Sequence, residues 1–512
     1  MTQAATGATF LGHPRGLVIL FLTEMWERFS YYGMRSMLIF YLTQHFLFSD
    51  TPAYGIYSAY ISMIYISPII GGFVADRWLG FRRAVLIGGI LIACGHAGMA
   101  VEGAQATLDA AGQVHRDGLS MQILYFSLAL IVTGTGLLKA NISAIVGSLY
   151  SEGDRRRDGG FTIFYMGINI GAFIATLTCA KVAQLYGWSY GFGLAGIGMV
   201  VGVIIFILGR SWLEGHGEPP DPAVLAKPVF VGLTLNQTVI GACILVVFPV
   251  WLLVQNGAVV GGALGLAGGL AILAVIVYAT LKLEPVARNR VFAILLLMPF
   301  HALFWAFFEQ TGTSMALFAE RGVDLTLFGV PLAAGQIQSI NPICVILFAP
   351  VIALAWTLLD RRDWEPGIPV KFALGLLQIG LGFLVFVLGI QLAGPGEKVW
   401  LGWLALGILL HSTGELCISP VGLSAVTKLS IARISGLMMG VWFLSNAFAN
   451  YGAGLIAMTA SIEHMPGKEV DVVQALPVYG SMFTSVGWTA VGCAGFLLLI
   501  SPLLKKLMHG VR

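Results

Sequence analysis

Glu24, Glu27, Arg28, Tyr31 and Arg35 are linked by spacings of three and four residues, 24 to 27 and 28, 27 and 28 to 31, and 31 to 35. On a helix that spacing puts them along one stripe. The stretch Glu24-Met25-Trp26-Glu27-Arg28-Phe29-Ser30-Tyr31-Tyr32-Gly33-Met34-Arg35 lies inside an apolar segment running from Leu17 to Phe46, long enough to cross a bilayer. A charge at membrane depth costs roughly 2.5–3.5 kcal/mol on insertion scales. It persists where it pairs with another charge, faces a polar cavity, or does work. A network that only ties helices together is the plainer reading. Two Glu, two Arg and two Tyr on one helix favour a functional face, because intramembrane ionisable residues are functional candidates by default. Elsewhere Lys139, Glu309 and Glu415 also sit in apolar runs. Carboxylates and cations together suit a zwitterion, whose carboxylate seeks Arg or Lys and whose ammonium seeks oxygen acceptors.

The elements that must position these residues are membrane helices. Of 512 residues, 57% are hydrophobic and 10% charged, with mean hydropathy +0.86. Soluble domains carry about 25% charged residues. The chain therefore reads as an all-α polytopic membrane protein. Fourteen spans are predicted, near residues 16–46, 52–77, 82–104, 119–149, 160–186, 189–212, 229–254, 258–283, 290–319, 329–359, 368–393, 399–427, 434–460 and 478–507. A net charge of +3 argues against a nucleic-acid partner. Cys94, Cys179, Cys243, Cys344, Cys417 and Cys493 lie in apolar runs without metal-ligand spacing and read as small core residues. His96, His301 and His411 read as satisfied core residues. No cleavable signal peptide is expected.

Lys and Arg set the orientation. Arg28, Arg35, Lys139 and Lys181 lie within spans, Lys181 near a helix end; Arg116, Arg321, Lys398 and Lys468 fall on the side away from the N-terminus. The remaining Lys and Arg, including Arg155, Arg433 and Arg512, gather on the N-terminal side, which predicts both termini in the cytoplasm. Two halves show signs of repetition. Lys139-Ala-Asn-Ile-Ser143 resembles Glu415-Leu-Cys-Ile-Ser419, and Asn169-Ile-Gly-Ala172 resembles Asn450-Tyr-Gly-Ala453, at nearly the same offset. Ser67-Pro68 and Asn341-Pro342 are expected to interrupt corresponding second helices. The organisation predicted is a six-helix bundle over residues 1–215, a linker with two extra, lipid-facing transmembrane helices over 216–288, and a second six-helix bundle over 289–512. Transporters built from repeats bind at the repeat interface.

Asp76-Arg77-Trp78-Leu79-Gly80-Phe81-Arg82-Arg83, between spans 2 and 3, resembles the loop signature of the major facilitator superfamily. A structural or gating role fits it better than substrate contact. The opening stretch, read as E-x-x-E-R-F-x-Y-Y-G, and Phe164-Tyr165-Met166-Gly167-Ile168-Asn169-Ile170-Gly171, read as F-Y-x-x-I-N-x-G, together resemble the two signatures of the proton-dependent oligopeptide transporter (POT, or PTR) family. The resemblance runs over the whole chain and implies a major facilitator fold plus an inserted two-helix hairpin. It implies that the peptide carboxylate meets Arg28 and Lys139, with Arg35 nearby, and that the amino end meets Asn169, Asn341 and Glu415. It implies side-chain pockets of Tyr31, Tyr32, Tyr65, Trp305, Trp442 and Phe443. Mammalian members carry a His in the second helix, whereas residues 52–77 here contain none. Proton coupling is therefore expected from carboxylates: Glu24, Glu27 and above all Glu309, with Arg35 its partner in one state. Lys139 and Glu415, of opposite sign at matching repeat positions, are expected to act as a gate.

The function expected is proton-coupled symport of di- and tripeptides by alternating access, in the cytoplasmic membrane of a bacterium. The partners expected are peptides, protons and lipid, with no cofactor and a monomeric protein. A transporter of another small organic or inorganic anion, as in the family's nitrate-carrying plant branch, is the first alternative. That branch tends to lose E-x-x-E-R, which is intact here. An intramembrane acyltransferase-type enzyme is the second. It would need a nucleophile–base pair or a metal cluster, and no such spacing is found on one helix.

Overall fold

The computed structural model describes residues 9–10, 12–151, 154, 156–230, 232–430, 434–463, 468 and 470–511. Arg155, Arg433 and Arg512, which entered the charge-bias argument, lie outside these. The architecture is helical; among the described residues, strands are limited to five pairs of two- or three-residue segments in the connections. In chain order the principal helices are α1 (Gly16–Phe40), α2 (Asp50–Val74), α3 (Phe81–Ala100), α4 (Gly118–Ser148), α5 (Arg157–Tyr186), α6 (Trp188–Leu208), α7 (Leu235–Leu245), α8 (Val247–Val254), α9 (Gly257–Lys282), α10 (Pro285–Phe308), α11 (Ser314–Gly322), α12 (Ile340–Asp360), α13 (Ile368–Leu392), α14 (Leu401–Leu429), α15 (Ser435–Met458) and α16 (Val472–Leu507). Twelve stretches among the described residues are long and apolar enough to cross a membrane. The helices α1 and α15, at 25 and 24 residues, are further long helices.

The chain forms two compact units. One comprises residues 1–41, 63–107 and 115–256; the other comprises 42–62, 108–114 and 257–512. The two helices expected as a hairpin therefore divide between them. Few residues of α7–α8 and of α9 are buried, as lipid-facing segments require.

In the first unit α1 packs on α5 and α6, and α3 on α4 and α6. The α1–α5 crossing is close because of Gly171, where a Cβ would run into the carbonyl oxygen of Met25. The turn before α3 depends on Gly80, at φ +73°, a conformation that disfavours other residues. Around it Arg82 pairs with Glu218 at 2.5 Å and Arg83 donates to Asn236 at 3.0 Å. The loop motif is thus a helix-end charge network.

In the second unit α13 packs on α14 and α16, and α10 on α15. Asp50 accepts from both terminal nitrogens of Arg321 at 2.7 Å, and from the Ile462 N–H at 3.0 Å. Arg321 also donates to Tyr479 Oη at 3.1 Å. The sequence analysis placed Arg321 with the charges outside the membrane helices; it is instead buried within α11 and paired.

Several other expectations are corrected. The span expected from residue 290 begins at Pro285, since Pro is favoured in a first helical turn, and it breaks at Glu309–Gly312. The span expected from 229 begins at Leu235, after a capping box of Thr234 and Gln237. The span expected from 329 begins as a 3-10 turn, Ala334–Ser339, and the last one begins at Val472. Neither proline pair interrupts its helix: Pro68 sits inside a continuous α2, and Pro342 occupies the first turn of α12, where its missing N–H costs nothing. Cys94 is exposed and Cys493 half-buried, so neither is a core residue. His96 is buried, and neither ring nitrogen has a hydrogen-bond partner among the described residues.

Candidate functional site

Each unit holds its own cluster of candidate groups. In the first, the charged stripe of α1 is buried: Glu24, Glu27, Arg28, Tyr31 and Arg35 are each 6% exposed or less. Arg28 Nε lies 2.8 Å from Glu24 Oε1 and 2.6 Å from Glu27 Oε2. The Nε–H donates to Glu24, while Glu27 Oε2 is ion-paired with the guanidinium but accepts no hydrogen bond among the described residues. Arg28 Nη2 and Glu24 Oε2 have no hydrogen-bond partner among the described residues. Leaving a buried charged donor unmatched is costly.

Aromatic rings line the same stripe. The Arg28 guanidinium lies 5.6 Å from the Tyr31 ring centre, and that of Arg35 lies 5.9 Å from Tyr32. Tyr31 and Tyr32 meet edge to face at 5.0 Å. Lys139, half-buried on α4, puts Nζ 4.1 Å from the Tyr65 ring centre, within cation–π range. Asn169, on α5 between the glycines that meet α1, donates to Tyr165 O on its own helix at 3.2 Å. Asn141 makes an interhelical amide bond in this unit, donating to Gly71 O at 3.2 Å.

In the second unit Asn341 on α12 donates through Nδ2 to Glu415 Oε2 and to Ser412 Oγ on α14, both at 3.0 Å. Two residues implied for the amino end are therefore in direct contact. Glu309 is 3% exposed and opens the 3-10 turn that breaks the helix after Phe308. The next residue, Gln310, donates at 3.0 Å to Ala306 O and to Ala453 O, while Ser314 Oγ donates to its carbonyl at 2.6 Å. These bonds anchor the turn that presents Glu309.

The implied aromatic residues of this unit differ in setting. Trp305 is half-buried and Phe443 exposed. Trp442 is 1% exposed, packed against the His301 ring at 4.3 Å and Phe372 at 6.2 Å. His301, read from sequence as an isolated core residue, is central here. Trp305 Nε1 donates to its Nε2 at 2.9 Å, and its Nδ1 lies 2.7 Å from Ser445 Oγ. The only signal for it was its position one helical turn before Trp305; Ser412 likewise precedes Glu415 by three.

Known proteins resemble this chain over most of its length. A profile of the POT family (PTR2) matches residues 82–471. An uncharacterized transporter, YclF, from Bacillus subtilis strain 168 is 38% identical, covering 98% of this chain and 96% of its own. The peptide transporter YePEPT from Yersinia enterocolitica is 34% identical, covering 100% and 98%. A crystal structure of the peptide transporter POT, as a mutant in complex with alafosfalin, superposes with a TM-score of 0.80. It is 38% identical over 98% of this chain and 97% of that one.

Proposed function

This chain belongs to the POT family, and from that premise we propose that it carries di- and tripeptides into the cell, driven by protons. The observation that carries the reading is the buried Arg28, hydrogen-bonded to Glu24 and ion-paired with Glu27, with Nη2 left unmatched among the described residues. Such a group suits a peptide's terminal carboxylate. Lys139 and Arg35 add positive charge to the same unit. Asn341 and Glu415, already joined, offer acceptor oxygens to an ammonium, and Asn169 an amide. Tyr31, Tyr32, Tyr65, Trp305, Trp442 and Phe443 wall the side-chain pockets, with Phe443 the more accessible of the last pair. Glu309 is the principal coupling acid, with Glu24 and Glu27 as further proton sites.

Transport proceeds by alternating access, with both termini in the cytoplasm and the protein in the inner membrane of a bacterium. It works as a monomer, needs no bound cofactor and performs no covalent chemistry on the peptide. The test is competition. Uptake of a labelled dipeptide into cells expressing the protein should be suppressed by unlabelled di- and tripeptides and spared by tetrapeptides and nitrate. Suppression by nitrate with indifference to dipeptides would move the assignment to the anion-carrying branch.

A further inference from the structure

His301 links the two Trp residues of the second unit through a chain of donors and acceptors whose direction can be worked out. An indole N–H only donates. Trp305 Nε1 bonds His301 Nε2 at 2.9 Å, so Nε2 carries the lone pair and, in the neutral ring, the proton is on Nδ1. Nδ1 then donates to Ser445 Oγ at 2.7 Å. Ser445 passes its own proton on to the Trp442 carbonyl oxygen at 2.5 Å. Every polar atom of the ring is used. The ring itself lies 4.3 Å from the Trp442 indole, and His301 is 3% exposed. The chain joins α10 to α15, so it locks the indole orientation of Trp305 to a second helix as well as to its own.

This arrangement has a chemical consequence. With its N–H consumed inside the protein, Trp305 has no donor to offer a ligand, only ring surface. We infer that His301 is a positioning and specificity residue, which ties down the Trp305 N–H so that this wall recognises apolar or aromatic peptide side chains and disfavours acidic ones. The inference rests on the peptide-transport reading and concerns the chemistry of one wall.

The test uses the full-length protein in proteoliposomes, with gradient-driven uptake of labelled Ala-Phe and Ala-Asp as probes. His301→Leu and His301→Gln are each compared in the wild-type and Trp305→Phe backgrounds. His301→Leu should raise KM for Ala-Phe about fivefold, the worth of one ordinary hydrogen bond. Maximal rate should change little, and the preference for Ala-Phe over Ala-Asp should shrink, because the indole N–H is now available to an acid. His301→Gln, whose amide oxygen can accept from the indole, should restore most of the preference. In Trp305→Phe neither substitution should shift the KM ratio further. If His301→Leu does not reach the membrane, His301→Met, which also removes the nitrogen that accepts from the indole while keeping a bulky side chain, takes its place with the same expected direction. An undiminished shift of the KM ratio in the Trp305→Phe background, a loss of rate with the ratio unchanged, or no effect at all would overturn the inference. Absence of uptake of both peptides by the wild-type protein would instead overturn the transport reading.

Discussion

At the scale of single residues, the account separates groups that hold a ligand from groups that hold a proton. Arg28 is the first kind. Arg28→Ala should abolish binding of free dipeptides while costing much less for a peptide with an amidated C-terminus, as measured by equilibrium binding to purified protein. Equal losses for both ligands would remove the carboxylate role. Glu309 is the second kind. Glu309→Gln keeps shape and removes titration. That variant should lose gradient-driven accumulation of dipeptide yet retain peptide-for-peptide counterflow, whereas a residue that only braces the fold would impair both. Most of these side chains were legible in the sequence, because a charge inside an apolar run has few explanations. His301 and Ser412 were not: a single polar residue on an apolar helix gives no sign of which neighbour it will bond.

At the scale of elements, two features decide where the candidate groups sit. One is the α1–α5 crossing. A Cβ at Gly171 would meet the Met25 carbonyl, a backbone atom that cannot swing aside. Gly171→Leu should push α5 away from α1, displacing Asn169. A thermal-unfolding assay in detergent should register a loss of about 1–3 kcal/mol, typical of overpacking; an unchanged melting temperature would show that the helices can separate freely. The other is the Asp50–Arg321 pair, with both carboxylate oxygens engaged and Tyr479 alongside. Asp50→Asn leaves Arg321 buried without a counter-charge, a change that costs roughly 3–5 kcal/mol. Restoration by a second, apolar replacement of Arg321 would identify the unpaired charge as the cause, and a neutral Asp50→Asn would contradict it. The helices themselves were readable from their apolar runs. Their starts were read wrongly where the first turns are charged, as at Arg288 and Arg290 after Pro285, or where a proline lies inside the helix, as at Pro477 in the helix that begins at Val472. The ion pair was invisible because its partners are far apart in the chain and each lies beside a loop.

At the scale of the whole molecule, this is a membrane transporter of the POT family, with its candidate groups distributed over both compact units. Lys139 with Glu415, and Asn169 with Asn450, stand out in the sequence as short matches at a shared offset, and each member falls on a long helix of its own unit. What sequence pattern alone did not reveal is that the extra helices divide between the units, because a lipid-facing helix carries no mark of the neighbour it rests on. The central claim is that this molecule moves intact peptides up a gradient at the expense of protons. Its most direct test is radiolabelled dipeptide uptake into proteoliposomes held alkaline inside, with and without a protonophore, followed by chromatographic recovery of the label. The account predicts accumulation of unaltered dipeptide above its external concentration, and its collapse to equilibration when the protonophore is added. Accumulation indifferent to the protonophore, or recovery of the label as hydrolysed or acylated product, would contradict it.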